Sequence, residues 1–286
     1  MRAKNSNSNY SILLLPSVGV LLAFFIAPLA IMLKYSFHKF DGQIRSGTVE
    51  YVFDNYLKFF SDVFYWEVLG RTFVISATVA TISVLIAYPI AYTLARSKSK
   101  WKPILIVIVV LPLITNLVVR NYGWMVILSE NGLLNTVLNA IGLPNFTLMF
   151  TTSGMIVALI QVLTPYAVFS LYGVIQQIKP QIEEGARSLG GTSWNVFKDV
   201  LIPLSGPGII AGWILIFVQA VASFATPLMI GGGGKAGQML ATLVFTDATS
   251  TLNWPFASTL SFVLTAIVLL LIAVQGWMLR NKRTHY

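Results

Sequence analysis

Long runs without a charged side chain recur through this sequence, and they decide what it can fold into. Six such runs, at 10–33, 72–95, 103–119, 154–174, 206–226 and 255–279, approach or exceed the length of a membrane-crossing helix. Such a helix needs about 20 mainly apolar residues. Composition agrees: 56% of the residues are hydrophobic and only 10% are Asp, Glu, Lys or Arg, where a soluble domain carries roughly 25%. A water-soluble chain of this kind could not cover its own core. The absence of cysteine excludes a disulfide scaffold, and the apolar content excludes disorder. The sequence predicts an all-α integral membrane protein with six transmembrane helices.

The first run follows Arg2 and Lys4 and is too long for the 7–15-residue core of a signal peptide. It reads as a retained anchor at 12–36 behind a tail at 1–11. An external loop at 37–70 follows, with FDNYLKFF and FYWEVLG as short amphipathic pieces. This loop is either a solvated connector or a contact surface. A five-helix core fills 71–279, with a polar loop at 178–203 and a tail at 280–286. Leu134, Val137, Leu138 and Ile141 have helical spacing, predicting a short helix on the membrane surface.

Six spans put both termini on one side, and the charges say which. That side carries Arg2, Lys4, Arg96, Lys98, Lys100, Lys102, Lys179, Arg187, Lys198, Arg280, Lys282 and Arg283, against Glu183, Glu184 and Asp199. On the other side Lys34, Lys39, Arg45, Lys58, Arg71, Arg120 and Lys235 are balanced by Asp41, Glu50, Asp54, Asp62, Glu67, Glu130 and Asp247. The positive-inside rule makes both termini cytoplasmic. The whole net charge of +9 therefore falls on one face, where it orients helices and meets anionic lipid. Nucleic acid is not needed to explain it.

Catalytic chemistry is hard to find. His38 and His285 read as surface residues, without the acidic or cysteine partners that a metal site or triad requires. The run GGGGKAG at 231–237 lacks the phosphate-loop spacing, because Met229 and Ala236 stand where Gly and Ser or Thr are required. It is read as a flexible external re-entry loop. No carboxylate lies inside a proposed span, which weighs against an ion-coupled carrier.

The polar loop is more informative. Residues 183–212 read as two short helices parted by Gly190-Gly191. Ile182, Ala186 and Leu189 share a face, and Glu183 and Arg187 are spaced for an i, i+4 pair. Thr192 or Ser193 can cap the second helix. Trp194, Phe197, Val200 and Leu201 form its stripe, and Pro203 marks an end or a bend.

This stretch resembles the EAA loop of ABC-importer permeases, E-A-A-x3-G-x9-I-x-L-P. It reads Glu184-Gly185-Ala186, Gly190, Val200, Ile202 and Pro203, with Gly185, Val200 and Ile202 as departures. LPLITNLVVRNYGW at 111–124, GLLNTVLNAIGL at 132–143 and LNWPFASTLSFVLT at 252–265 resemble the first permease subunit of spermidine/putrescine importers. The resemblance implies the type I permease fold in a bacterial inner membrane. It implies a pore of two permease chains, a second permease subunit beside this one, two ATPase subunits and an external solute-binding protein. This chain would then be non-catalytic and bind no cofactor, with ATP and Mg on the ATPases. Polyamine is the implied cargo; related permeases carry opines, amino-phosphonates, thiamine or iron. Glu184 and Gly190 carry over as the acidic contact and the turn of the coupling loop. Glu183, Gly185, Ala186 and Pro203 belong to the same element, and Arg187 joins it on geometry.

Candidates for the substrate path are the polar and aromatic residues within spans: Tyr88, Asn116, Gln161, Tyr166, Gln219 and Ser223. Such side chains more often bond helix to helix than touch a ligand. Arg120 and Trp124 are candidates for an outer gate or a binding-protein contact. Gly206, Pro207, Gly208 and Gly212 would let the fifth span bend or pack closely.

Overall fold

The computed structural model describes residues 7–40 and 50–283. Among them the helices are α1 (Asn7–Ser36), α2 (Asp54–Ser61), α3 (Val63–Arg96), α4 (Lys102–Ile114), α5 (Leu117–Leu128), α6 (Leu133–Ala140) and α7 (Thr152–Gln177). They continue with α8 (Pro180–Ser188), α9 (Ser193–Asn195), α10 (Ile202–Val221), α11 (Ala225–Ile230), α12 (Leu240–Thr249) and α13 (Trp254–Arg283). His285 lies outside the described residues. The pairing of His38 with Tyr51 is an isolated bridge.

Five helices are long and apolar enough to cross a membrane: Pro16–Ser36, Val63–Arg96, Thr152–Gln177, Ser193–Val221 and Trp254–Ala273. A bent pair, Lys102–Ile114 with Leu117–Ala140, brings the number to six if it counts as one span. Prolines sit inside α3, α7 and α10 at Pro89, Pro165 and Pro207. Away from water, the backbone keeps its internal hydrogen bonds and tolerates the missing donor.

Three expectations change. The second span begins at Val63, so FYWEVLG is the first two turns of α3 and not a separate piece. The third span is broken: extended residues Thr115 and Asn116 part α4 from α5, with a 100° bend. The fifth span starts ten residues before Pro203 and ends at Val221, so Pro203 neither ends nor interrupts the helix. Instead the turn before it, Val196–Leu201, widens into a π helix in which Ile202 N–H reaches Phe197 C=O. A proline ring collides with the carbonyl four residues back, and a wider turn relieves that collision.

The chain divides into two compact units. In the unit formed by residues up to 63 and 244–267, the end of α1 is held by α2 and α13. The Ser36 and Tyr56 hydroxyls bond at 2.8 Å, and Asn55 donates to the Ser36 and His38 carbonyls at 3.0 and 2.9 Å. Thr259 donates to the Ser36 carbonyl at 3.1 Å. His38 is half-buried between the Tyr35 and Tyr51 rings.

The other unit, 64–243 with 268 onward, holds the element read as the coupling loop. Its centre is the pairing of α7 with α10. A Cβ on Gly208 would come within 2.9 Å of Val174 Cγ2, and one on Gly212 within 3.4 Å of Ser170 Cβ. Ser170 donates to the Gly208 carbonyl at 3.2 Å. Gly208 and Gly212, four apart on one helix face, are therefore small because α7 lies against them. Gly206 faces open space. The loop at 231–237 is tightly folded: a Cβ on Gly237 would meet the Gly232 carbonyl at 2.1 Å, and Gly232 adopts φ +73°.

Candidate functional site

The hairpin of α8 and α9 is closed by a turn that only glycine makes easily. Gly190 has φ +90°. Its N–H donates to Arg187 C=O at 2.9 Å, and Gly191 N–H donates to Ala186 C=O at 3.1 Å. These two bonds are the Schellman pattern that satisfies the last carbonyls of a helix. Thr192, not Ser193, caps the next helix, its Oγ1 accepting from Asn195 N–H at 3.2 Å.

The hairpin leaves large apolar side chains in the open. Leu189 is 91% exposed, Trp194 66% and Ile182 46%. Glu184, Gly185 and Arg187 are exposed as well. Within the predicted stripe, Leu201 is buried, Phe197 and Val200 are half-buried, and Trp194 points outward.

Glu183 differs. It is 4% exposed, and its partner is Arg96 at the end of α3, not Arg187 as the i, i+4 spacing predicts. Arg96 Nε donates to Glu183 Oε1 at 2.7 Å, the Tyr92 hydroxyl to Oε2 at 2.9 Å, and Arg96 Nη2 to the Ile178 carbonyl at 3.0 Å. The carboxylate and guanidinium form charge-assisted bonds that offset the loss of water. One turn deeper, the Tyr88 hydroxyl bonds Ser205 Oγ at 3.0 Å, and its ring meets Phe197 edge-on at 5.3 Å. Tyr88 thus sits beside the hairpin and joins α3 to α10.

The other path candidates divide. Asn116 is the N-cap of α5, its Oδ1 accepting from Val118 N–H at 2.9 Å and Val119 N–H at 3.4 Å. Trp124 Nε1 donates to Gln161 Oε1 at 3.1 Å, so a gate candidate and a path candidate are one hydrogen-bonded pair. Arg120 Nη1 donates to the Pro112 carbonyl at 2.6 Å across the bend, while its buried Nε has no partner. Tyr166 lies within electrostatic reach of Arg120. Gln219 is exposed, and Ser223 sits in the break between α10 and α11.

The local signal for the break is Pro112 followed by the capping residue Asn116, which an uncharged run conceals. At 1.5 Å per residue, the thirteen residues of α4 measure about 20 Å, short of a hydrocarbon layer's thickness of about 30 Å. Irregular backbone inside such a layer is stable where protein or a water-filled cavity surrounds it. Arg120 spans the bend through its bond to Pro112, and the Trp124–Gln161 pair lies one turn further along α5. Among the described residues, no group of three or more His, Cys, Asp or Glu is arranged to hold a metal.

Comparisons with known proteins agree with this architecture. The family profile described as "Binding-protein-dependent transport system inner membrane component" matches residues 87–282. The chain is 32% identical over 256 residues to the spermidine/putrescine transport system permease protein PotB of Haemophilus influenzae, covering 89% of this chain and 88% of that one. It is 32% identical to PotB of Escherichia coli (strain K12), covering 93% and 97%. A crystal structure of a bacterial alginate ABC transporter, in complex with an alginate pentasaccharide-bound periplasmic protein, matches with a TM-score of 0.75. That match has 17% identity and covers 95% of this chain and 94% of that one, so it bears on fold alone. The family profile and the relatives together establish that the chain belongs to the inner membrane components of binding-protein-dependent transport systems, the ABC-importer permeases.

Proposed function

We propose that this chain is one of two permease subunits of an ATP-driven polyamine importer, working with two ATPase subunits and an external solute-binding protein. ATP and Mg belong to the ATPases, and this chain supplies the path and the lever. The hairpin lies on the cytoplasmic side, where the basic residues cluster. Supporting this reading is the exposed apolar tip of a hairpin whose base is anchored: Leu189 and Trp194 are free to enter a groove, while Glu183 is fixed to Arg96.

In this mechanism the ATPases close on ATP and carry the docked hairpins with them. Movement of α8 passes through Glu183 to α3. Movement of α9 passes through the π turn to α10, which is continuous with it. The two spans shift together, and the path opens outward to take cargo from the binding protein. Hydrolysis returns it inward.

The test is reconstitution of the four-subunit complex in liposomes with its binding protein. ATP-dependent uptake of labelled spermidine or putrescine is the expected result. Uptake driven by an ion gradient without the ATPases would overturn it. Arg120 supports a second cargo class within the same machinery: its guanidinium forms no ion pair with a carboxylate among the described residues, and it suits a solute with an anionic group. Binding measurements on the isolated solute-binding protein, with polyamines against carboxylate or phosphonate amines, separate the two.

A further inference from the structure

A cleft of about 430 Å³ opens between α3 and the π turn with α10. Val84, Leu85 and Pro89 on one side and Phe197, Ile202 and Ile209 on the other make its walls apolar. Tyr88 and Tyr92 also line it, with their hydroxyls engaged by Ser205 and Glu183. The cleft therefore offers an occupant hydrocarbon contact and almost no free hydrogen-bonding group.

From the inner end of the cleft to the charged end of α3, the wall has about the length of one leaflet. Val84 lies twelve residues before Arg96 on α3, which is about 18 Å of helix; half of the hydrocarbon core is about 15 Å. Both walls run toward cationic ends. Lys98 and Lys100 follow α3, and Lys198 follows Phe197 on the π turn; all three are exposed. Arg96 is committed to Glu183, and Lys102 lies over the Tyr172 ring at 5.5 Å. Asp199 and Glu184, also exposed, are the carboxylates on the hairpin side. A juxtamembrane group of lysines attracts anionic headgroups.

We propose that this cleft is a binding site for an anionic phospholipid, with an acyl chain against Leu85, Pro89 and Ile209 and its phosphate drawn to the lysines at the mouth. The proposal takes the name of the leaflet, cytoplasmic, from the orientation proposed above. The bound chain lies against Tyr92 and Phe197, which touch the hairpin anchor and the π turn. Lipid occupancy would therefore bias how firmly the hairpin is held to the spans.

The test uses the whole complex in phosphatidylcholine vesicles doped with phosphatidylglycerol that carries a photoreactive group in its acyl chain. Labelled peptides are read by mass spectrometry, and the readout does not depend on cargo identity or on uptake. Labelling of the segments around 84–92 and 197–209 is expected, with displacement by unlabelled phosphatidylglycerol. Ile209→Trp should lower it severalfold by narrowing the cleft. Lys98→Gln combined with Lys198→Gln should lower it roughly tenfold with the apolar walls unchanged. Equal labelling by a photoreactive phosphatidylcholine would overturn the proposal. So would a Leu85→Cys variant that crosslinks to the partner permease in place of lipid labelling, because a protein helix would then fill the cleft.

Discussion

The side chains of Arg96 and Glu183 meet across 87 positions of sequence and join the end of α3 to α8, the first helix of the hairpin. Glu183 is almost wholly buried, and 17% of the Arg96 side chain is exposed. Removing one partner strands a buried charge, which costs about 3–5 kcal/mol at full burial and less here. Arg96→Met should lower the unfolding midpoint of the purified complex clearly. Arg96→Met with Glu183→Leu should recover much of the loss. Equal midpoints for Arg96→Met and the unaltered protein would show that the pair carries no stability.

Under the proposed mechanism, the Gly190 turn separates stability from transmission. Gly190→Ala forces a side chain into left-handed backbone at a cost of about 1–2 kcal/mol. Gly190→Pro also removes the N–H that reaches Arg187 and fixes φ at a negative value. The alanine variant should retain partial uptake. The proline variant should stay in the membrane while losing uptake and substrate-stimulated ATP hydrolysis, both measured in the reconstituted complex.

Three glycines of α10 should respond differently to one methyl group. Gly208→Ala places a Cβ within 2.9 Å of Val174, and overpacking of this kind costs about 1–3 kcal/mol. Gly212→Ala makes ordinary contact with Ser170 and should cost less. Gly206→Ala meets nothing within 4 Å and should match or exceed the unaltered midpoint. Thermal unfolding of the three variants side by side checks the order.

His38 should make its unit sensitive to acid. Burial, then the positive charge of Lys34, hold its imidazole below the ordinary 6.5, and Nε2 has no partner. A base with a lowered pKa binds fewer protons folded than unfolded. Its penalty therefore begins as pH falls through 6.5 and is complete once pH passes below the folded value. His38→Gln should flatten the loss of unfolding midpoint between pH 7.5 and 5.5. An unchanged slope would assign the acid sensitivity elsewhere.

What sequence reveals here depends on how local the physics is. The apolar runs give the spans because composition alone measures transfer into lipid. Gly190 and Thr192 announce their turn and cap, since a left-handed φ and an N-cap bond involve neighbours within three residues. The i, i+4 rule points Glu183 at Arg187, and tertiary structure overrides it with Arg96, on a helix no local pattern relates to it. Hydropathy reads through residues 103–119 because an uncharged run reports affinity for lipid and not direction. The 100° turn is visible only in the order Pro112, Thr115, Asn116. Asn116 and Gln161 stand out in the sequence as polar residues within spans, and Trp124 as an aromatic at the outer end of the third. Structure gives the first a capping bond and pairs the other two with each other.

The π turn at 196–201 has a consequence for heredity as well as for motion. Each residue advances a helix by about 100°, and a π turn absorbs a residue that an α turn would not. The docking face around Trp194 and the glycine face at Gly208 and Gly212 are thus set in independent phase along one continuous rod. Deleting a single residue from the turn would leave Trp194, Gly208 and Gly212 themselves intact. It would still swing Gly208 and Gly212 off α7 whenever the hairpin was seated, so length in this segment is constrained more tightly than identity.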